Sequence, residues 1–282
     1  SGTGRRTSGQ APPFPWRQCS LSAYCGHVSG VVPRHSLGRF FAWYTRRAMA
    51  TLLSSLSVVL PAYNEEAVLG TTLTSVLAYI RSRDLRAEII VVDDGSRDRT
   101  ASIVREIQAE APEVRLIQHE RNRGYGEALR SGFRAARYDW MFLMDADGQF
   151  DIRELDAFVA YAPEFDMILG YRARRADAWS RKVLTWGYAR LMRFLFDLRL
   201  VDHDCAFKLF RRSAWEAAQP VRSTDHKIFT VEWLWNTQRR GLRLKELPVH
   251  HYPRTTGTAT GARPDVIWAM MKALVRLLVS PE

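Results

Sequence analysis

The feature that most constrains this chain is a unit that recurs along its middle. A short apolar run stops at a polar, mostly acidic cluster, and a stretch with helical spacing follows. Leu56–Leu60 ends at Pro61, with Tyr63-Asn64-Glu65 beyond it, and Ala87–Val92 ends at Asp93-Asp94-Gly95-Ser96. Val114–Gln118 is followed by Gly124-Tyr125-Gly126, Trp140–Met144 by Asp145-Ala146-Asp147-Gly148, and Met167–Tyr171 makes a fifth run. Val68–Ile80, a segment from Thr100 and one running through Ala136 carry apolar residues at helical spacing. Short strands alternating with longer helices predict βαβ units, hence an α/β domain with a mostly parallel central sheet flanked by helices. Such sheets bind ligands at the carboxyl ends of their strands. The clusters at 63–65, 93–94 and 145–147 are expected there together.

Composition narrows the class. The 282 residues are 46% hydrophobic and 25% charged, which excludes a disordered chain, a collagen and a disulfide scaffold. The net charge of +11 is uneven. Residues 1–48 hold seven Arg and no acid, 49–171 carry −7, 172–212 carry +7 and 213–282 carry +4. An acidic stretch followed by a basic one suggests carboxylates that hold one group and cations that meet an anion, whether nucleic acid, phosphorylated lipid or an anionic membrane surface. No uncharged apolar run approaches the ~20 residues of a membrane span, so no transmembrane helix is expected. Cys19, Cys25 and Cys205 form no C-x-x-C pair, which favours a reduced compartment. Residues 1–48 lack periodicity and read as a disordered leader or a non-native extension upstream of Met49. Two stretches, 179–200 and Val266–Val279, are amphipathic and basic, the first also rich in aromatics. Each suits either a core helix with a solvated stripe or a helix lying in a membrane interface.

Asp145 and Asp147 project from one strand end with a single small residue between them. Two such acids repel unless one stays protonated or a cation joins them. Oxygen ligands favour Mg²⁺ or Mn²⁺. The alternative is an Asx turn closing the strand. An Asp at 93–94 can accept from the imide N–H of a base or merely cap a helix. Tyr63 can pack on a base while Glu65 bonds to it, or the acids can simply favour a helix N-terminus. Glu232 reads either as facing a ligand or as an exposed helix acid. His250-His251, His203 and Cys205 read as structural.

In order along the chain, Pro61-x-Tyr63-Asn64-Glu65, Val92-Asp93-Asp94-Gly95-Ser96, Asn122–Gly126, Asp145-Ala146-Asp147-Gly148-Gln149, Gly170-Tyr171-Arg172, Asp204–Phe210 and Pro248–Gly257 resemble glycosyltransferase family 2. The resemblance covers roughly residues 56–262 and is strongest to the dolichyl-phosphate mannose synthase and polyprenyl-phosphate sugar transferase branch. It implies a GT-A-like single domain over 49–262, with a nucleotide-sugar half (49–171), an acceptor half (172–262), interfacial amphipathic helices in the C-terminal half and a final helix at 263–282. It implies that Pro61, Tyr63, Glu65 and Asp94 hold the nucleotide. Asp145, Ala146, Asp147 and Gln149 would hold diphosphate and metal, and Arg172, Arg181 and Thr185 the acceptor phosphate. Arg254 and Gly257 fit the family's diphosphate loop, whereas Ala259 and Thr260 replace its Ser and Lys. The implied activity is metal-dependent, inverting transfer of a sugar to a polyprenyl or dolichyl phosphate, from GDP-mannose by preference and UDP-glucose next. The implied place is the cytoplasmic face of a membrane, peripherally bound, with a homo-oligomer or a membrane-subunit partner compatible. Nucleic acid is not expected, for no readout motif accompanies the basic surplus. A soluble or saccharide acceptor, and a non-catalytic nucleotide-sugar binder, remain as alternatives.

Overall fold

The computed structural model describes residues 53–173, 187, 190–223 and 226–253. Their strands are β1 (Leu56–Ala62), β2 (Ala87–Asp93), β3 (Val114–Gln118), β4 (Trp140–Met144), β5 (Met167–Arg172), β6 (Phe207–Arg211) and β7 (Leu244–Val249). The helices are α1 (Leu69–Ser82), α2 (Thr100–Glu110), α3 (Tyr125–Ala135), α4 (Leu155–Val159, entered through a 3₁₀ turn at Ile152–Glu154), α5 (Arg212–Ala217) and α6 (His226–Arg239). Residues 190–196 are also helical. Residues 179–186, 188 and 189 of the first amphipathic stretch, and all of 1–48 and 263–282, lie outside the described residues.

The strands form one sheet in the order β3-β2-β1-β4-β6-β5-β7. β3, β2, β1 and β4 run parallel, β6 runs antiparallel to both β4 and β5, and β7 pairs parallel with β5. Helices cover both faces, which is why β1 and β2 read as continuous apolar runs rather than alternating ones. The period of two sorts each strand between two cores. Val58 and Leu60 pack with Leu69, Leu73, Val76 and Phe142, while Val59 packs with Leu129, Phe133, Met141 and Phe210 on the other face.

β1 continues through Pro61 and Ala62, two residues past the expected stop. Its pairing with β4 ends at Val59, so at Pro61 the strand is bonded only to β2. A proline is tolerated where one side of the strand needs no N–H. Strand order reverses between β1 and β4, and the crevice over their carboxyl ends is where a sheet of this kind places its ligand.

Candidate active site

The β2 end is built around two buried acids. Asp93 Oδ1 accepts from the Ser96 N–H at 3.0 Å and closes the turn. Asp94 reaches across to the loop before α3. Its Oδ1 accepts from the Arg123 N–H at 2.9 Å and its Oδ2 from the Gly124 N–H at 2.9 Å. His119 Nδ1 lies 2.7 Å from the same Oδ1, and its Nε2 lies 2.9 Å from Ser131 Oγ. Asp94 therefore fixes the 122–124 loop with both oxygens, whatever else it meets. Gly95 permits this closeness: at φ +73° a Cβ there would sit 2.3 Å from the carbonyl carbon of Arg121. At the β1 end, Asn64 and Glu65 donate their N–H groups to Ser96 Oγ and Thr100 Oγ1, each at 2.9 Å. This bracing leaves the Tyr63 ring 42% exposed at the mouth of the crevice. Pro61 is buried one step below it.

Beyond β4, the buried Ala146 carbonyl accepts from Thr72 Oγ1 at 3.2 Å, pinning the acidic turn to α1. Asp145 Oδ1 accepts from the Tyr125 O–H at 2.8 Å. Burial, and next the negative charge of Asp147, push the Asp145 carboxyl up to about 7, against the opposing pull of the Tyr125 hydrogen bond, Lys208 and Arg172. Tyr125 is itself pushed well above the ordinary phenol range by burial and by Asp145. Asp147 Oδ1 accepts from the Gln149 N–H at 3.1 Å, so the turn also has the Asx character weighed above. The Gln149 side chain donates instead to the Tyr252 carbonyl at 2.7 Å. Two carboxylates at one strand end, the first with its pKa raised by burial and then by the charge of the second, are a donor set that a divalent cation relieves. Among the described residues no group of three or more His, Cys, Asp or Glu is arranged to hold a metal. A cleft of about 820 Å³ runs from Asp147 and Gly148 along α1, past Thr72 and Ser75, to Tyr252; Asp145, Asp94 and Arg172 lie outside it.

Facing these acids is a basic side. Arg172, at the end of β5, forks onto Asp202 with Nε 2.6 Å from Oδ2 and Nη2 2.8 Å from Oδ1. Burial opposes its charge, but the pairing with Asp202 outweighs burial and raises it further. Among the described residues Nη1 makes no hydrogen bond. Lys208 is 1% exposed, and burial lowers its pKa. It donates to the carbonyls of His203, at 3.3 Å, and Cys205. Burial pushes the Cys205 thiol up to about 12, which suits packing rather than attack.

Of the expected site residues, the fold brings Pro61, Tyr63, Glu65, Asp94, Asp145, Ala146, Asp147, Gln149 and Arg172 to the carboxyl ends of β1, β2, β4 and β5. Arg181, Thr185 and Arg254 lie outside the described residues, as do Gly257, Ala259 and Thr260. Glu232 fits neither reading given above: it is buried and accepts from the N–H groups of Arg222 (2.9 Å) and Ser223 (2.8 Å). His250 bonds to Glu154. The sequence reading named Tyr125 and Lys208 only as members of motifs and gave them no role of their own, and it passed over His119 and Glu246. Lys208 carried a signal, as a lone cation inside the apolar run Phe207–Phe210.

A mostly parallel sheet with acids at the β1, β2 and β4 ends and an antiparallel strand beside β4 defines a GT-A-like glycosyltransferase fold. Glucosyl-3-phosphoglycerate synthase from Mycobacterium tuberculosis, solved with Mn²⁺ and uridine-diphosphate-glucose, has the same fold: TM-score 0.63 at 17% identity, over 91% of this chain and 86% of that one. The chain belongs to glycosyl transferase family 2, whose model matches residues 57–217. It is 35% identical to glycosyltransferase AglD of Haloferax volcanii over 74% of this chain, spanning only 35% of that protein's length. It is 32% identical to the undecaprenyl-phosphate 4-deoxy-4-formamido-L-arabinose transferase of Pectobacterium atrosepticum, over 81% of this chain and 69% of that one. It is 30% identical to the dolichyl-phosphate beta-glucosyltransferase of Saccharomyces cerevisiae, over 69% and 66%. The last two names fall in the branch that the motifs resemble.

Proposed function

We propose that this chain moves a hexose from a nucleoside diphosphate to a polyprenyl phosphate, inverting the anomeric carbon. The observation that carries the reading is the division of charge across the crevice. The acids Asp145 and Asp147 stand at the β4 end, and the cation Arg172 stands two strands away at the β5 end. The acids suit Mg²⁺ or Mn²⁺, which when bound supplies positive charge to a departing nucleoside diphosphate. Arg172 suits the acceptor phosphate, as a forked donor with Nη1 left over. A phosphate monoester is largely dianionic near neutral pH, its second pKa being about 6. It attacks without a general base, so the site has to orient it and exclude competing water. Pro61, Tyr63, Glu65 and Asp94 are the proposed nucleotide contacts, Asp94 acting through the 122–124 loop that it holds. Gln149 is a proposed partner of the cation, and Arg181, Thr185 and Arg254 are proposed phosphate contacts.

Glucose is supported as the sugar by the dolichyl-phosphate glucosyltransferase relative, and GDP-mannose stays in the test as the other arm. Membrane contact is supported by Phe194, which is 85% exposed and follows the exposed Arg193, and by Val201, 62% exposed. No helix among the described residues is long and apolar enough to cross a membrane. Peripheral binding at the cytoplasmic face is part of this proposal. The test is a thermal-shift panel of UDP-glucose and GDP-mannose with and without Mn²⁺, followed by transfer to undecaprenyl phosphate in micelles. A donor shift that needs Mn²⁺, with lipid-linked product, is expected. A shift without transfer to lipid sinks the acceptor assignment, and no shift with any donor sinks the whole reading.

A further inference from the structure

The three strands on the basic side each send one charged side chain to a single loop, residues 201–205, which enters β6. From β6, the buried Lys208 ammonium takes the carbonyls of His203 and Cys205. From β7, Glu246 Oε1 accepts from the Val201 N–H at 2.8 Å and, at 3.5 Å, from the Asp202 N–H. From β5, between them, Arg172 takes both Asp202 carboxylate oxygens. Register makes this one device: Lys208 and Glu246 both pair with Leu169, so they flank β5 in a single row, three residues below Arg172. A cation grips the loop's carbonyls on one side, and an anion grips its N–H groups on the other. Between those two grips sits Asp202, the carboxylate that orients the guanidinium.

Fixing a loop does not in itself call for a buried ammonium, whose desolvation costs several kcal/mol. A buried charge is retained where acids compensate it, and Asp202, Asp204 and Asp145 all lie within its field. We infer that Lys208 and Glu246 are positioning residues for the acceptor phosphate: they clamp the 201–205 loop from both sides, so that Asp202 holds the Arg172 guanidinium fixed at the carboxyl end of β5. The inference rests on the proposed acceptor, and it puts their effect on acceptor use rather than on the donor.

The experiment compares Lys208→Met, Glu246→Leu and Glu246→Gln with the parent chain. Each is assayed with undecaprenyl phosphate in detergent micelles and whichever nucleoside-diphosphate hexose the parent turns over. Lys208→Met and Glu246→Leu are expected to raise the acceptor KM about tenfold, while the donor KM stays within about twofold. Glu246→Gln keeps a carbonyl oxygen for the Val201 N–H and is expected to recover most of the loss. Hydrogen exchange supplies a readout independent of turnover: amides of 201–206 should exchange at least about tenfold faster in the first two variants, those of β1 and β2 at the parent rate. If Lys208→Met fails to fold, Glu246→Leu, at the sheet edge, carries the comparison. Equal rises in donor and acceptor KM, unchanged kinetics, or unchanged exchange at 201–206 would each overturn the inference. A parent chain with no transfer to lipid overturns the proposed function and the acceptor role with it, while the exchange data still decide whether the clamp exists.

Discussion

Asp145→Asn tests the acid pair without assuming a substrate. In the folded chain the carboxyl titrates at about 7, chiefly because it is buried and secondarily because Asp147 is negative. In the unfolded chain its ordinary pKa is about 3.9. Below about pH 4 the group is protonated in both states and costs nothing. Between about pH 4 and 7 the unfolded chain releases the proton first, so stability falls as pH rises, and above 7 the cost is complete. Three pH units correspond to at most about 4 kcal/mol. Asparagine cannot ionise, yet keeps a carbonyl to accept from the Tyr125 O–H. In metal-free buffer the variant should match the parent near pH 4 and melt at least about 4 °C higher at pH 8, taking half the full cost at roughly 2–4 °C per kcal/mol for a chain this size. Mn²⁺ should raise the parent's midpoint at pH 8 and leave the variant's nearly unmoved. Melting curves from pH 4 to 8, with EDTA or Mn²⁺, provide the assay. Parallel pH slopes in the two proteins would refute the argument, because the variant differs by this one ionisation.

Three further substitutions separate other parts of the structure. Gly95→Ala places a methyl 2.3 Å from the Arg121 backbone at a positive φ and should cost about 2–4 kcal/mol, read as a drop in the urea midpoint. Glu232→Ala strips the N–H groups of Arg222 and Ser223 of a buried acceptor and should cost about 1–3 kcal/mol in the same assay, whereas an exposed acid would cost almost nothing. Phe194→Asp should leave the melting temperature unchanged, since the ring is 85% exposed, but reduce flotation with anionic vesicles at least about fivefold.

The parts of the fold that were legible are those that repeat. β1 to β5 announce themselves because each is an apolar run closed by turn residues and, up to β3, followed by an amphipathic helix. β6 does not: it runs antiparallel, no βαβ unit delivers it, and Lys208 interrupts its apolar run while being one of its most buried residues. β7 is an edge strand carrying Lys245, Glu246 and Pro248, the charged and proline-bearing composition by which sheet edges avoid further pairing. The acids of the site were legible as strand-end residues. Their partners were not, because Asp94 binds N–H groups 29 and 30 residues away and Asp202 binds a guanidinium 30 residues back. Spacing carries no trace of such long-range pairs, and Glu232 shows the cost, since a helix acid looks the same whether it faces solvent or a buried loop.

The antiparallel strand also explains how opposite charges come to share one end of the sheet. In a purely parallel sheet, only loops that follow strands reach the carboxyl edge. Because β6 is reversed, the loop that precedes it arrives there as well, with Phe207 opposite Met144 and Asp202 beside Arg172. The β4 acids and Arg172 at the β5 end are then separated by two strand spacings, roughly 10 Å. A displacement between a lipid phosphate and a nucleoside diphosphate has two anions to hold apart, with a sugar carbon between them. A single strand spacing would press both onto one site, while three would leave the sugar unsupported. The reversed strand thus sets the separation and, through the 201–205 loop, also holds the cation that the acceptor side of the proposed reaction requires.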